Sequence, residues 1–248
     1  MKKSVIITIR VIAAVMLAVS LVFLGIYLFQ DIHDSNIAKD ILKLKGQKID
    51  DSEKTPDVLD DYAALYGENK DVIGWLKIDG TNIDNVVMFA PKEHEKYLRH
   101  DFYGNYSTRG CLYVDEGCNI LHSDNLIIYG HHMKDGTMFG KLEDYSTKTY
   151  YLNHKYINFD TIYEKHRYQV VAAIKTEIPP EDKECFRYYH YIGENDTEML
   201  EQYKEFIAEN QLYNTGVQLN EGDKILTLST CAYHTDNGRF IVVAKQID

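Results

Sequence analysis

A cysteine and an arginine lie close together near the C-terminus of the 248-residue chain. Cys231 ends the apolar, β-branched run KILTLSTC, and Arg239 begins the next apolar run, RFIVVAKQ. Asp236, Asn237 and Gly238 favour a turn between the two runs, which therefore form a candidate hairpin. If Cys231 pairs opposite Arg239, their Cβ atoms lie about 5 Å apart on one face. A guanidinium beside a thiol favours the thiolate and can donate hydrogen bonds to an oxyanion.

A thiol nucleophile also needs a proton partner, which is usually a histidine. The chain has ten histidines, and His131 is the candidate because of its position. The segment NLIIYG reads as a strand that ends at Gly130, and His131 and His132 follow it directly. Glycine lets the backbone turn there, and the loops at strand ends commonly carry functional sites. Because neighbours on an extended segment point in opposite directions, we expect only one of these histidines to face Cys231.

Each of these features also has a structural explanation. A Cys–Arg pair in a hairpin is often only structural, and a Gly-His dipeptide carries little information. A zinc site made of His122, His131, His132 and Cys231 is another alternative, but these residues show no recognised ligand spacing. We therefore expect no metal site and no cofactor.

The four cysteines leave a further question open. Cys111, Cys118, Cys185 and Cys231 could form two disulfides in a protein outside the cytoplasm. A bridge from Cys111 to Cys118 is possible because both flank the short segment CLYVDEGC. Each cysteine could equally be a small buried apolar side chain.

Eight short strand candidates separated by turn residues predict the elements that position these side chains. They suggest a mainly β protein with a closed antiparallel or mixed barrel. Asp79-Gly80 separates the first two candidates. In chain order the candidates are GWLKID, NIDNVVMF, GCLYVD, NLIIYG, YINFD, RYQVVAAIKTEI, KILTLSTC and RFIVVAKQI.

Helical patterns occur before the first strand and between the sixth and seventh strands. The later segment, NDTEMLEQYKEFIAEN, predicts a helix with Asn195 as its N-cap and Glu198 three residues on. Its apolar face consists of Met199, Leu200, Tyr203, Phe206 and Ile207. The earlier helical spacing is made by Leu59, Tyr62, Leu65 and Tyr66.

Residues 11–29 form an uncharged apolar run of 19 residues that predicts a transmembrane anchor. At about 1.5 Å per residue, a helix of this length nearly spans the roughly 30 Å hydrocarbon core. Basic residues precede it and acidic residues follow it, so the N-terminus is expected in the cytoplasm. A cleaved signal peptide is the alternative, but Ala18 and Ser20, which could imitate a cleavage site, lie inside the apolar run.

The charge of the remaining chain limits its partners. The whole chain has a net charge of −11, and leaving out the three basic residues of positions 1–30 makes the remainder −14. Such an acidic surface argues against binding nucleic acid. We expect a cytoplasmic N-terminus at residues 1–10, the anchor at 11–29, a stalk with N-terminal helices at 30–70, and a catalytic barrel at 71–248 outside the cell.

The combination of these segments resembles a class B sortase, a cysteine transpeptidase of Gram-positive bacteria. The resemblance rests on TLSTC with an arginine opening the next strand, and on IIYGHHM upstream. It extends to GWLKIDGTNID, KYLRHDFYGNYSTRGCLYVD, FDTIYEKHRYQVVAAIKT and the helix at residues 195–210, and so covers residues 71–248. The resemblance implies an eight-stranded sortase barrel with a helix between strands six and seven.

The resemblance also implies roles for single residues. Cys231 would be the nucleophile, His131 the acid/base and Arg239 the contact to substrate and oxyanion, while Ser229 and Leu98 would line the substrate groove. Cys111 and Cys118 are not part of the family pattern. Ala232 stands where an acidic residue often follows the catalytic cysteine, which affects substrate contacts rather than the chemistry.

The implied reaction is the transfer of a secreted protein to the cell wall. The enzyme would cleave an Asn-Pro-x-Thr-like sorting motif after its Thr and join the protein, through a thioacyl-enzyme, to an amine of peptidoglycan or its lipid-linked precursor. A membrane-anchored cysteine protease, with water as acceptor, and a sortase that assembles pili are alternatives. A binding module without catalysis would keep the barrel and would not need Cys231.

Overall fold

Two parts of the chain form separate compact units, residues 1–40 and 41–248. The computed structural model describes residues 3–50, 55, 57–233 and 235–248. The first unit is helical, and the second carries the sheet and every candidate site residue.

Helix α1 runs from Lys3 to Leu44 and is longer than the predicted anchor. In the described part of the chain it is the one helix long and apolar enough to cross a membrane, by length and composition, and a signal sequence passes the same test. The segment after Phe29, predicted as a stalk, stays helical to Leu44. It holds neither glycine nor proline before Gly46, where φ is +73°.

The second unit contains all eight predicted strands, which close into a barrel of mixed sheet. The mainly β prediction is therefore confirmed, with boundaries that differ from the sequence patterns by a few residues. The strands are β1 (Val72–Lys77), β2 (Asp84–Met88), β3 (Leu112–Val114), β4 (Asn125–Tyr129), β5 (Tyr156–Thr161), β6 (Arg167–Glu177), β7 (Ile225–Cys231) and β8 (Gly238–Gln246).

The strand order around the barrel brings distant parts of the sequence together. The order is β1-β2-β3-β4-β7-β8-β6-β5, and β5 pairs with β1 to close the ring. Strands β2 and β3 pair in parallel, and so do β4 and β7, while the other pairs are antiparallel. In the β4–β7 pair Tyr129 lies opposite Ser229. Because parallel strands end at the same edge of a sheet, the residues that follow these two strands meet at one rim.

Three helices besides α1 complete the described fold: α2 (Asp60–Glu68), α3 (Lys148–Asn153) and α4 (Thr197–Asn210). Helix α4 lies between β6 and β7 in the chain, as predicted, but its N-cap is Asp196 rather than Asn195. The Asp196 carboxylate accepts a hydrogen bond from the N–H of Met199, whereas Asn195 has φ +54° and donates its N–H to Asp124. The cap must directly precede the first helical residue, and only Asp196 does so.

Helix α4 holds the strand that carries the candidate nucleophile. Its Tyr203 is fully buried, and the Tyr203 hydroxyl lies 2.8 Å from Oγ1 of Thr227 on β7. Thr227 in turn donates to Oδ1 of Asn125 on β4, also over 2.8 Å. Buried polar groups stabilise a fold only when they are paired. These two hydrogen bonds therefore fix β7 against both β4 and α4.

Candidate active site

All five predicted site residues line one cleft of about 510 Å³ at the rim of the barrel. Cys231 and Ser229 come from β7 and Arg239 from β8, while His131 follows β4. Leu98 belongs to a short 3₁₀ helix between β2 and β3. The fold thus collects at one place residues that are up to 141 positions apart in the chain.

The predicted hairpin is present, and Cys231 pairs directly opposite Arg239. The turn closes with a hydrogen bond from the N–H of Ala232 to the carbonyl oxygen of Gly238, over 2.9 Å. Asn237 has φ +59°, a left-handed conformation that Asn tolerates better than most residues. Nη1 of Arg239 donates to the carbonyl oxygen of Gly238 over 3.0 Å, and the guanidinium lines the cleft.

Gly130 is required by close packing rather than by a turn alone. A Cβ atom at this position would lie 2.4 Å from Leu112 and 2.7 Å from Phe139. Without a side chain, Gly130 continues the pairing with β7: its N–H donates to Ser229 and its carbonyl oxygen accepts from Oγ1 of Thr230. These contacts fix the backbone position from which the His131 side chain extends.

His131 is held by a main-chain carbonyl group. Its Nε2 lies 2.8 Å from the carbonyl oxygen of Leu98, which can only accept, so Nε2 carries a proton. Burial lowers the pKa of His131, the bond to Leu98 opposes this shift, and the charge of Arg99 adds to it. The balance favours neutral imidazole near pH 7, with the lone pair on Nδ1.

His132 is placed differently from its neighbour. It does not line the cleft, and its Nδ1 lies 3.0 Å from the carbonyl oxygen of Cys231. The structure therefore brings His131, and not His132, into the cleft with the Cys231 side chain. The opposite orientation of consecutive residues on an extended segment explains this difference.

Ser229 and Leu98 contribute to the wall of the cleft in different ways. The Ser229 hydroxyl is almost completely buried and lies 2.8 Å from the hydroxyl of Tyr188. Burial raises the pKa of Tyr188 to about 12, so this phenol is neutral at physiological pH. Leu98 is a lining residue of the cleft, and its carbonyl oxygen accepts the hydrogen bond from His131.

The sequence patterns did not identify the aromatic wall of the cleft. Tyr113 and Tyr129 lie on β3 and β4 with ring centroids 5.5 Å apart, and Tyr129 donates to Asp115 over 2.9 Å. Tyr129 is the last residue of β4, directly before Gly130 and His131, and this position is a signal that could have been used. Tyr188 and Tyr189 lie in a 3₁₀ helix, Tyr188–His190, between β6 and α4, which is too short for a periodic pattern to predict which side chains face inward.

The other cysteines and the residues considered for a zinc site are placed as follows. Cys111 and Cys118 are both buried and are not joined by a disulfide. Burial raises the pKa of the Cys118 thiol to about 12, and its sulfur lies 3.6 Å from the carbonyl oxygen of Asn125. Among the residues that the structure describes, no group of three or more His, Cys, Asp or Glu side chains is arranged to hold a metal ion.

Comparison with known proteins identifies the family. The sortase domain model matches residues 76–247. Sortase B of Staphylococcus aureus (strain NCTC 8325 / PS 47) is 37% identical over 194 residues, which cover 75% of this chain and 74% of the relative.

Two solved structures extend the comparison to the fold. The crystal structure of Staphylococcus aureus sortase B has a TM-score of 0.72 and 31% identity, and covers 87% of this chain and 99% of that chain. A sortase B complexed with triglycine has a TM-score of 0.66 and 33% identity, and covers 76% and 86% of the two chains. With a cysteine, a histidine and an arginine in one cleft of the matching barrel, this chain belongs to the sortase family and is a class B sortase, a cysteine transpeptidase of cell-wall sorting.

Proposed function

We propose that Cys231, His131 and Arg239 perform the transpeptidation, as nucleophile, acid/base and oxyanion contact. The observation that carries this proposal is the meeting of these three side chains in one cleft where β4 and β7 end together. Each side chain supplies one function that thioester chemistry needs: an electron pair, a proton relay and a fixed positive charge.

In the first half-reaction the Cys231 thiolate attacks the carbonyl carbon of the Thr in the sorting motif. The carbonyl oxygen becomes an oxyanion beside the Arg239 guanidinium, whose planar donors suit such an oxygen. His131 takes the proton of the Cys231 thiol as the thiolate forms, and gives this proton to the departing amine when the peptide bond breaks. The Thr acyl group is then joined to Sγ of Cys231 as a thioester.

In the second half-reaction a primary amine attacks the thioester. Neutral His131 accepts a proton from this amine, the new amide bond forms, and the Cys231 thiolate leaves. Because burial lowers the pKa of His131, its neutral form is available for this step. The triglycine bound to the related sortase B supports a peptide amine as acceptor, and we assign to this chain an amine of peptidoglycan or of its lipid-linked precursor.

Ser229 and Leu98 are assigned to the substrate groove, together with the tyrosines of the cleft. Apolar surface from Leu98 suits the proline of an Asn-Pro-x-Thr motif, because a proline ring offers no N–H donor. The segment between β6 and α4 supplies Ile178, Tyr188 and Tyr189 to the same cleft. This contribution supports the view that the segment 176–216 shapes motif selection in part, through those of its residues that line the cleft.

We assign the chain to the cell membrane through helix α1. Its apolar stretch, flanked by basic residues on the N-terminal side, supports an uncleaved anchor with a cytoplasmic N-terminus and the barrel outside the cell. Exported substrates and wall precursors meet at that surface, so the anchor brings the enzyme to both.

Peptide preference and acceptor use test the proposal. The full chain in detergent is incubated with Asn-Pro-x-Thr and Leu-Pro-x-Thr-Gly peptides, each with and without triglycine, and products are separated by mass. We expect the Asn-Pro peptide to be the better substrate and its acyl group to move to triglycine. Hydrolysis that triglycine leaves unchanged would instead support a protease, and preference for the Leu-Pro peptide would contradict the motif assignment.

Arg239→Lys is expected to lower turnover by about two orders of magnitude, since loss of one oxyanion donor typically costs about 10²–10³ in rate. Lysine keeps the charge but lacks the paired planar donors. The melting temperature should stay within a few degrees, because an arginine at a solvated rim adds little to folding stability. Peptide cleavage and thermal unfolding are measured on the same sample.

Arg187→Lys is the matched control for this variant. Arg187 also binds main-chain carbonyl oxygens, including those of Pro180 and Lys183, but it does not line the cleft. Near-normal turnover of Arg239→Lys would reduce Arg239 to a structural residue.

A further inference from the structure

The second histidine of the pair contacts the backbone of the candidate nucleophile. Nδ1 of His132 lies 3.0 Å from the carbonyl oxygen of Cys231 and 3.7 Å from Oε2 of Glu143. A carbonyl oxygen can only accept a hydrogen bond, so the contact at 3.0 Å places a proton on Nδ1, and the Glu143 carboxylate at 3.7 Å attracts the same N–H electrostatically. The His132 side chain is only 16% exposed, so water has limited access to replace the bond.

The ring of His132 is held in place by groups from several parts of the chain. Glu143 belongs to a 3₁₀ helix at Leu142–Ser146, and its Oε1 lies 2.6 Å from Nζ of Lys175 on β6. The ring of Tyr233 lies against His132, with centroids 5.5 Å apart. A carboxylate that is itself fixed by a lysine can fix the orientation of the imidazole that it faces.

The bond from His132 lies where the pairing of β4 with β7 ends. The last ladder pair is Tyr129 with Ser229, and Gly130 still donates its N–H to Ser229. Beyond that point side chains link the two segments: Thr230 donates through its hydroxyl to Gly130, and His132 donates through its imidazole to Cys231. The residues on both sides of His131 are thus tied to the residues that carry and precede the thiol.

We infer that His132 is a positioning residue for the transpeptidation. Its bond to the carbonyl oxygen of Cys231 holds the backbone of the nucleophile in register with His131, and Glu143 keeps the imidazole turned toward that oxygen. The inference rests on the proposed roles of Cys231 and His131, and it adds a role for the second histidine of the GHH segment.

The expected loss is moderate and affects turnover rather than binding. One hydrogen bond of this kind corresponds to about a tenfold effect, and small displacements of reacting groups reduce rates steeply. Since His132 does not line the cleft, the KM for the peptide should change little while kcat falls about tenfold. A residue that only supported folding would lower the melting temperature and would not separate kcat from KM in this way.

Three variants of the full chain in detergent test the inference. His132→Phe keeps a ring against Tyr233 but has no donor, whereas His132→Asn keeps an amide N–H close to the position of Nδ1. His154→Phe is the matched control: Nδ1 of His154 lies 2.9 Å from the carbonyl oxygen of Tyr150, its ring stacks on Tyr150, and it does not line the cleft. We measure kcat and KM for the sorting peptide, together with thermal unfolding.

We expect kcat to fall about tenfold in His132→Phe, to recover to within about threefold of the original in His132→Asn, and to stay near the original in His154→Phe. Equal losses in His132→Phe and His132→Asn would overturn the inference, and so would unchanged kcat in His132→Phe or a rise in KM alone. If the phenylalanine variant does not fold, His132→Ala replaces it with the same expected fall in kcat, because alanine also lacks the donor. Turnover that survives Cys231→Ala would instead overturn the proposed function, so the two failures are distinct.

Discussion

Cys231→Ala is expected to abolish cleavage of the sorting peptide and to prevent trapping of a thioacyl-enzyme. The thiol sulfur is the atom that the proposed chemistry joins to the substrate, and a methyl group offers no electron pair. Cys231 is half-buried at the end of β7, so removing one sulfur atom leaves little cavity. The melting temperature should therefore stay within a few degrees. Mass spectrometry of the enzyme after incubation with peptide detects the adduct, and chromatography measures cleavage.

Cys185→Ala is the matched control for this experiment. Cys185 is exposed and lies outside the cleft that contains Cys231, so its loss should change neither cleavage nor the adduct. Retained turnover in Cys231→Ala would rule out the proposed nucleophile. Loss of turnover together with loss of the folded state would call for Cys231→Ser, which keeps the size of the side chain.

His131→Ala is expected to lower turnover to the level of the background, because the proposed mechanism passes the proton between the thiol and the amines through this imidazole. His132→Ala should keep about a tenth of the turnover, as expected for one lost hydrogen bond. The two variants truncate neighbouring histidines, so a pronounced difference in turnover between them shows which of the two rings acts on the thiol. Equal losses would show that the acid/base was assigned to the wrong ring, and steady-state cleavage at saturating peptide measures both.

The burial of His131 also affects the stability of the folded protein at acidic pH. Burial lowers the pKa of His131 in the folded chain below the unfolded value of about 6.5. Between the two values the unfolded chain binds more protons, so His131 opposes folding as the pH falls through about 6.5 and has no such effect at higher pH. His131→Asn should therefore lose less stability than the original chain between pH 7.5 and 5, as measured by denaturant unfolding. A larger loss in the variant would contradict the depressed pKa.

The periodic parts of the sequence predicted the fold well because local patterns determine them. Alternating and β-branched runs bounded by turn residues marked all eight strands, and the 3.6-residue spacing marked α4. Boundaries were less well defined: the cap of α4 lies at Asp196 and not at Asn195, since the cap depends on where the chain leaves the preceding loop. The extent of α1 beyond Phe29 also departed from the predicted stalk.

The sequence predicted one contact at the cleft, because both of its side chains lie at strand ends. The pairing of Cys231 with Arg239 follows from a hairpin, in which two strands are adjacent in sequence and the turn sets the register. Tyr188, Tyr189 and the bond from His132 to Cys231 were not predictable in the same way. The two tyrosines lie in a segment without a long periodic element, and the bond joins residues about 100 positions apart, so a local pattern carries no signal for them.

The sequence by itself determined the strand set, the family resemblance and the types of side chain available for thioester chemistry. It also placed Cys231 and Arg239 on one hairpin. Only the tertiary structure decided that β4 and β7 lie side by side in parallel, which brings His131 to Cys231 and turns His132 toward the Cys231 backbone. The physical reason is that parallel strands cannot be joined by a short turn, so their pairing is fixed by the closure and packing of the whole barrel.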